Sequence, residues 1–179
     1  MPRENIIAQK LAEGVWYAEG AAYQVAADVL RQPRRFDALF ECLLSDDVGT
    51  AKRAAMALEA VSEKRADLFA PYIDILLHEL EIHSHWHVRF RLCPIVPRLK
   101  LSPAEFDRAV ELFRELSSHP QNALAVNALS ALSALALRND ELREEMIWLM
   151  EQKMHHASKA MQSRCRQVLP QLYAGAVTD

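Results

Sequence analysis

The chain has 179 residues, a length that suits one domain with a substantial core. Apolar residues make up 51% and charged residues 25%, with only four glycines, which favours packed helices over a glycine-rich phosphate cradle. A formal charge of −3 excludes a bulk pull toward nucleic acid or an anionic membrane and leaves room only for a local basic face.

In chain order, the first predicted elements are Ile6–Tyr17 and Ala21–Leu30. Ile7, Leu11, Val15, Tyr23, Ala27 and Leu30 can cover the open end of the first full hairpin, so residues 1–33 read as a diverged N-terminal capping hairpin. Pro33 closes it. Phe36–Leu44 is a short amphipathic helix, and Ser45-Asp46-Asp47 breaks it and offers caps for the next, which runs from Val48 to about Lys64. The following pairs are Leu68–Leu80 with Trp86–Leu99, Pro103–Leu116 with Asn122–Leu137, and Glu141–His155 with Ser158–Leu172.

Pro94 and Pro97 fall inside one of these helices, where each removes a donor and crowds the preceding turn, so a bend or break is expected there. Ser102-Pro103-Ala104-Glu105 has the spacing of a capping box. The uncharged stretch Pro120–Leu137 contains too many Asn, Gln and Ser residues for a membrane span and reads as a tightly packed helix. The tail after Tyr173 is expected to fray. No segment alternates with period 2, so no half-buried strand is predicted.

A pattern returns every 36 to 38 residues. Arg53-Ala54-Ala55-Met56-Ala57-Leu58 is echoed by blocks that begin at Arg91, Asn127 and Arg164. Leu58, Val96, Leu132 and Leu169 stay in phase, as do Val61, Leu99, Leu135 and Leu172. A fixed period of this size marks stacked helical hairpins in which each unit closes its neighbour's core. The repeats read as 34–64, 67–99, 102–137 and 140–173, within a single solenoid over 1–179.

Short paired helices, with Asp47 six positions before Arg53 and then Ala54, Ala55, Leu58 and Val61, resemble the HEAT-repeat family of the ARM-like superfamily. The resemblance implies an all-α, right-handed superhelix of antiparallel hairpins that binds other proteins. It also implies a ladder between the turn position and the second helix. Here Asp47/Arg53 matches both positions, followed by His85/Arg91, Gln121/Asn127 and Ser158/Arg164. The structural ladder residues are therefore Asp47, Arg53, Arg91, Asn127 and Arg164.

Arginines on the second helices make a candidate basic face, with Lys52 and Lys159 nearby. Arg53, Arg91 and Arg164 hold ladder positions, which leaves Arg89, Arg98 and Arg166 to hold an acidic partner peptide or phosphates. Trp148, within Met146-Ile147-Trp148-Leu149-Met150, either packs between repeats or forms part of a partner-binding patch. The acidic residues, among them Asp107, Glu111, Glu141, Glu144, Glu145 and Glu151, read as solvated charged faces and helix ends.

Histidines cluster at His78–His87 and at His155-His156, both at predicted hairpin turns, where polar turn chemistry or adventitious metal binding accounts for them. A single His-Glu dipeptide at His78-Glu79 argues against the two-iron sites of some HEAT-like enzymes. Trp16, Trp86 and Trp148 differ in phase and give no aromatic–Asp constellation like that of HEAT-like DNA glycosylases. Cys42, Cys93 and Cys165 are too few and too scattered for a disulfide framework or a four-ligand metal site and read as small buried hydrophobes. The N-terminus has no basic segment followed by an apolar core.

The expectation is a non-enzymatic, cytoplasmic scaffold or adaptor without cofactor, catalytic residues, metal or membrane contact. Its partner is another protein or an acidic peptide. A nucleic-acid-binding or base-processing protein is the alternative, and a metal-dependent modification enzyme ranks below both.

Overall fold

The computed structural model describes residues 6–15 and 18–175. Among these residues there are ten α-helices, three 3-10 turns and no strand, so the fold is all-helical. The chain divides into two compact units, one ending at Leu101 and the other beginning at Ser102.

The first unit holds α1 (Ile6–Ala12), α2 (Ala22–Arg31), α3 (Phe36–Leu43), α4 (Val48–Ser62), α5 (Ile73–Ile82) and α6 (Trp86–Leu92). The expected first helix reached Tyr17, but α1 stops at Ala12, and Gly14 follows with a φ of +95°, a conformation that side chains other than hydrogen resist. Trp16 and Tyr17 lie outside the described residues, as does the tail beyond Gly175. α4 opens on Asp47, whose carboxylate accepts both the amide and the hydroxyl of Thr50 at 2.7 Å. Those hydrogen bonds hold the Asp47 carboxyl below its usual range. Ala51, Ala54 and Ala55 are buried along α4, and side chains this small let α2, α3 and α6 all pack against it.

Two expected helices break at prolines. Leu68–Leu80 is a 3-10 turn over Ala66–Tyr72 followed by α5, because Pro71 has no amide hydrogen to donate to an α-helical ladder. The turn is nonetheless a packing element. Phe69 meets Phe36 edge-on at 4.8 Å, and Tyr72 stacks on Phe40 at 4.3 Å. The Tyr72 hydroxyl donates to Asp37 at 2.6 Å, which pushes its pKa up to about 12. Trp86–Leu99 likewise ends as α6 at Leu92, and after Pro94 the chain makes a 3-10 turn at Val96–Arg98. Cys93, Ile95, Val96 and Leu99 remain buried through the break, so the apolar phase outlasts the helix.

The second unit opens with the predicted capping box. Ser102 Oγ accepts the Glu105 amide, and the Glu105 carboxylate accepts the Ser102 amide at 2.6 Å. It holds α7 (Pro103–Leu116), α8 (Asn122–Ala136), α9 (Asp140–His156) and α10 (Lys159–Gly175). α7 packs on α8, α9 packs on α10, and α10 also packs on α8. Second helices therefore stack on one another here, as α2, α4 and α6 do in the first unit. Asn139 caps α9 by accepting the Leu142 amide at 2.8 Å.

Leu58, Val96, Leu132 and Leu169 are all buried, as are Val61, Leu99, Leu135 and Leu172. The repeating phase thus marks the core. Leu132→Ala should cost about 2–5 kcal/mol in denaturant unfolding, the range for a buried leucine whose site relaxes only in part. A loss below about 1 kcal/mol would show that the site collapses or tolerates the void.

Candidate functional site

Of the arginines expected to form a basic face, Arg53, Arg89, Arg91 and Arg98 bond within the fold. Arg53 is 1% exposed. Its Nε donates to the Leu11 carbonyl and a terminal nitrogen donates to the Val15 carbonyl at 3.0 Å. Asp47, its expected ladder partner, spends its hydrogen bonds on Thr50 and attracts Arg53 only through space. The predicted pair is two separate devices, a helix cap and a bolt to α1.

Arg89 and Arg98, expected to face a partner, have similar internal roles. Arg89 Nε donates to the Leu80 carbonyl in the last turn of α5 at 2.7 Å. Arg98 donates to the Glu59 carbonyl at 3.2 Å and to Ser62 Oγ at 2.7 Å, and lies 3.6 Å from the Glu63 carboxylate. The final carbonyls of a helix have no intrahelical donor, and cations there also favour the dipole. Arg89 supplies such a donor to Leu80, and Arg98 joins the Ser62 hydroxyl as a donor to Glu59. The sequence placed the arginines on the right helices but did not reveal that neighbouring helix ends would claim them.

Of the remaining ladder positions, Arg91 pairs with Glu59 at 3.2 Å and so joins α6 to α4. Asn127 and Arg164 are half-buried on α8 and α10. Ser158 donates to the Asn122 side chain at 2.8 Å. Lys52 lies near Arg91 and Arg53, and burial together with those two cations lowers its pKa. Arg166 is exposed on α10 and is the one member of the three expected recognition arginines left facing solvent.

The histidine-rich turn organises itself. His83 Nδ1 accepts the His85 amide at 3.1 Å, and burial lowers the His83 pKa. His87 stacks on Trp86 at 3.7 Å. His155 and His156 lie with ring centroids 6.2 Å apart. Among the described residues no group of three His, Cys, Asp or Glu side chains is arranged to hold a metal ion. Cys42, Cys93 and Cys165 are free and buried, and burial raises the thiol pKa of Cys93 and Cys165, against nucleophilic use. Among the described residues no helix is long and apolar enough to cross a membrane.

Trp148 faces outward. It is 63% exposed on α9, with Glu144 and Glu151 exposed about one turn to either side, so packing within the fold does not account for it. Glu151 accepts a hydrogen bond from the Tyr173 hydroxyl, which raises the tyrosine pKa. Toward the start of α9 a groove of about 260 Å³ separates it from α7. Phe106, Val110 and Leu142 form its apolar part, and Asp107, Glu111, Glu141 and Glu145 form its acidic walls. Arg114 sits among them, bound to Glu111 and Glu145.

The acidic walls were read in the sequence as solvated faces. A signal was present. Asp107/Glu111 and Glu141/Glu145 are the same i, i+4 acidic pair on consecutive first helices, displaced by 34 residues in both cases. Both pairs line the same groove.

No family model matches the chain, and no curated protein matches it. Among solved structures, the crystal structure of an engineered protein is similar, with a TM-score of 0.66 at 14% identity over 96% of this chain and 79% of that one. At that identity the likeness concerns the fold alone.

Arg89→Ala should lower unfolding stability by about 1–3 kcal/mol, because it removes a charged donor from a partly buried carbonyl. Arg166→Ala should stay within about 0.5 kcal/mol, as expected of a surface change. Equal effects in denaturant unfolding would contradict the division between internal and solvent-facing arginines.

Proposed function

We propose that this protein is a non-enzymatic scaffold or adaptor, a HEAT-like right-handed superhelix of antiparallel hairpins that binds another protein through its surface. The observation that carries the reading is Trp148, a large aromatic side chain 63% exposed on a regular helix. Tryptophan is enriched among the residues that dominate protein interfaces, and its exposure leaves apolar area in water that a partner would cover. Stacked second helices and buried in-phase residues support the repeat architecture. Buried free thiols are compatible with a reducing cytoplasm.

The acidic-partner expectation rested on Arg89, Arg98 and Arg166, and the first two are bound to helix ends. A nucleic-acid partner draws no support from an arginine set engaged in this way. The test is affinity capture from native extract with nuclease treatment, comparing the wild type with Trp148→Ala. Partners should survive nuclease and be lost with Trp148→Ala while circular dichroism is unchanged. Recovery only through nucleic acid would overturn the reading.

A further inference from the structure

We propose that the groove between α7 and α9, extended along α9 by Trp148, binds an extended segment rich in Arg or Lys from a partner protein. The inference rests on the protein-binding reading and adds the partner's chemistry.

The groove walls carry four carboxylates and one guanidinium, an excess of three negative charges, which equals the net charge of the entire chain. Arg114 engages Glu111 and Glu145. Asp107 and Glu141 have no ion pair among the described residues, so the groove is left under-neutralised. Phe106, Val110 and Leu142 would cover the methylene stem of a long basic side chain while its head meets the carboxylates.

Glu141, Glu145 and Trp148 share one side of α9, because positions three, four and seven apart recur on a helix face. At 1.5 Å rise per residue, Trp148 stands about 10 Å beyond Glu141. An extended chain in the polyproline II conformation covers that distance in about three residues, and its three-residue turn returns the side chain to the same face. A segment with one basic residue in the groove would therefore place a second, about three positions away, over the indole. A cation there gains the attraction of the ring face, and the exposed Glu144 and Glu151 reinforce it. An acidic segment would meet repulsion along the whole path.

The experiment uses the full chain and a fluorescein-labelled Ala/Ser peptide containing two arginines about three positions apart. A matching peptide carries glutamates in their place, and binding is read by anisotropy at several salt concentrations. The arginine peptide should bind and the glutamate peptide should not. Asp107→Asn with Glu141→Gln should weaken binding about tenfold or more and flatten its salt dependence. Trp148→Ala should weaken it by a similar factor while keeping the salt dependence. Glu41→Gln with Asp46→Asn, the same charge change on exposed positions of the first unit, should leave binding unchanged.

Absence of arginine-peptide binding, equal binding of the glutamate peptide, or an equal loss in the first-unit variant would overturn the inference. A fall in peptide anisotropy as the protein concentration is raised would also overturn it, by assigning the groove to a second copy of the chain. Captured partners from native extract separate the two levels of the argument. If they depend on Trp148 but not on Asp107 and Glu141, the basic-segment inference fails and the protein-binding reading stands. If they depend on neither, both fail.

Discussion

A guanidinium taken out of water must find acceptors, and Arg53 finds them in the carbonyls of Leu11 and Val15. The arrangement around it follows from that need. Gly20 has a φ of +53°, and a Cβ there would stand 2.8 Å from Arg53 Cδ. A Cβ on Gly49 would stand 2.7 Å from a terminal nitrogen of the same guanidinium. Gly20 requires glycine for its backbone conformation as well as for the arginine against it, whereas a side chain at position 49 would push the end of the guanidinium aside. Asp47 supports the site at a distance by capping α4 and contributing negative potential. One buried cation thus couples α4 to the end of α1 and to the loop ahead of α2.

The same chemistry recurs along the first unit. Arg89 meets the last turn of α5, and Arg98 meets the last turn of α4. Helix ends that lie against a neighbouring helix leave carbonyls that need donors, which long side chains can deliver. Arginine suits this role because it remains charged and offers several donors in one plane. In the second unit the groups left toward solvent are instead an aromatic residue, Trp148, and the carboxylates that line the groove between α7 and α9.

The in-phase apolar positions were legible because burial repeats with the chain: Leu58 and Leu132 lie in the core for the same geometric reason. The capping box at Ser102 was legible because its logic is local. The shortening at Pro71 was missed because an amphipathic pattern continues through it, and Phe69 is buried whether the turn is α or 3-10. The internal hydrogen bonds of Arg89 and Arg98 were not legible for a different reason. Their acceptors are backbone carbonyls, which leave no trace in side-chain sequence, whereas Asp47 offered a visible but incorrect partner for Arg53. Trp148 sits in an apolar run that reads as core, and only its position on α9 turns it outward. The groove walls depend on register between α7 and α9, a relation visible only when two repeats are aligned on each other.

Native-state hydrogen exchange on Arg53→Ala tests most directly whether a buried arginine fastens the first helix. Loss of a charged donor to two carbonyls should raise exchange across Ile6–Ala12 by about tenfold or more. The inner residues of α4 should change less, because their own helical hydrogen bonds remain. Unaltered protection of α1 in a folded Arg53→Ala variant would contradict the account.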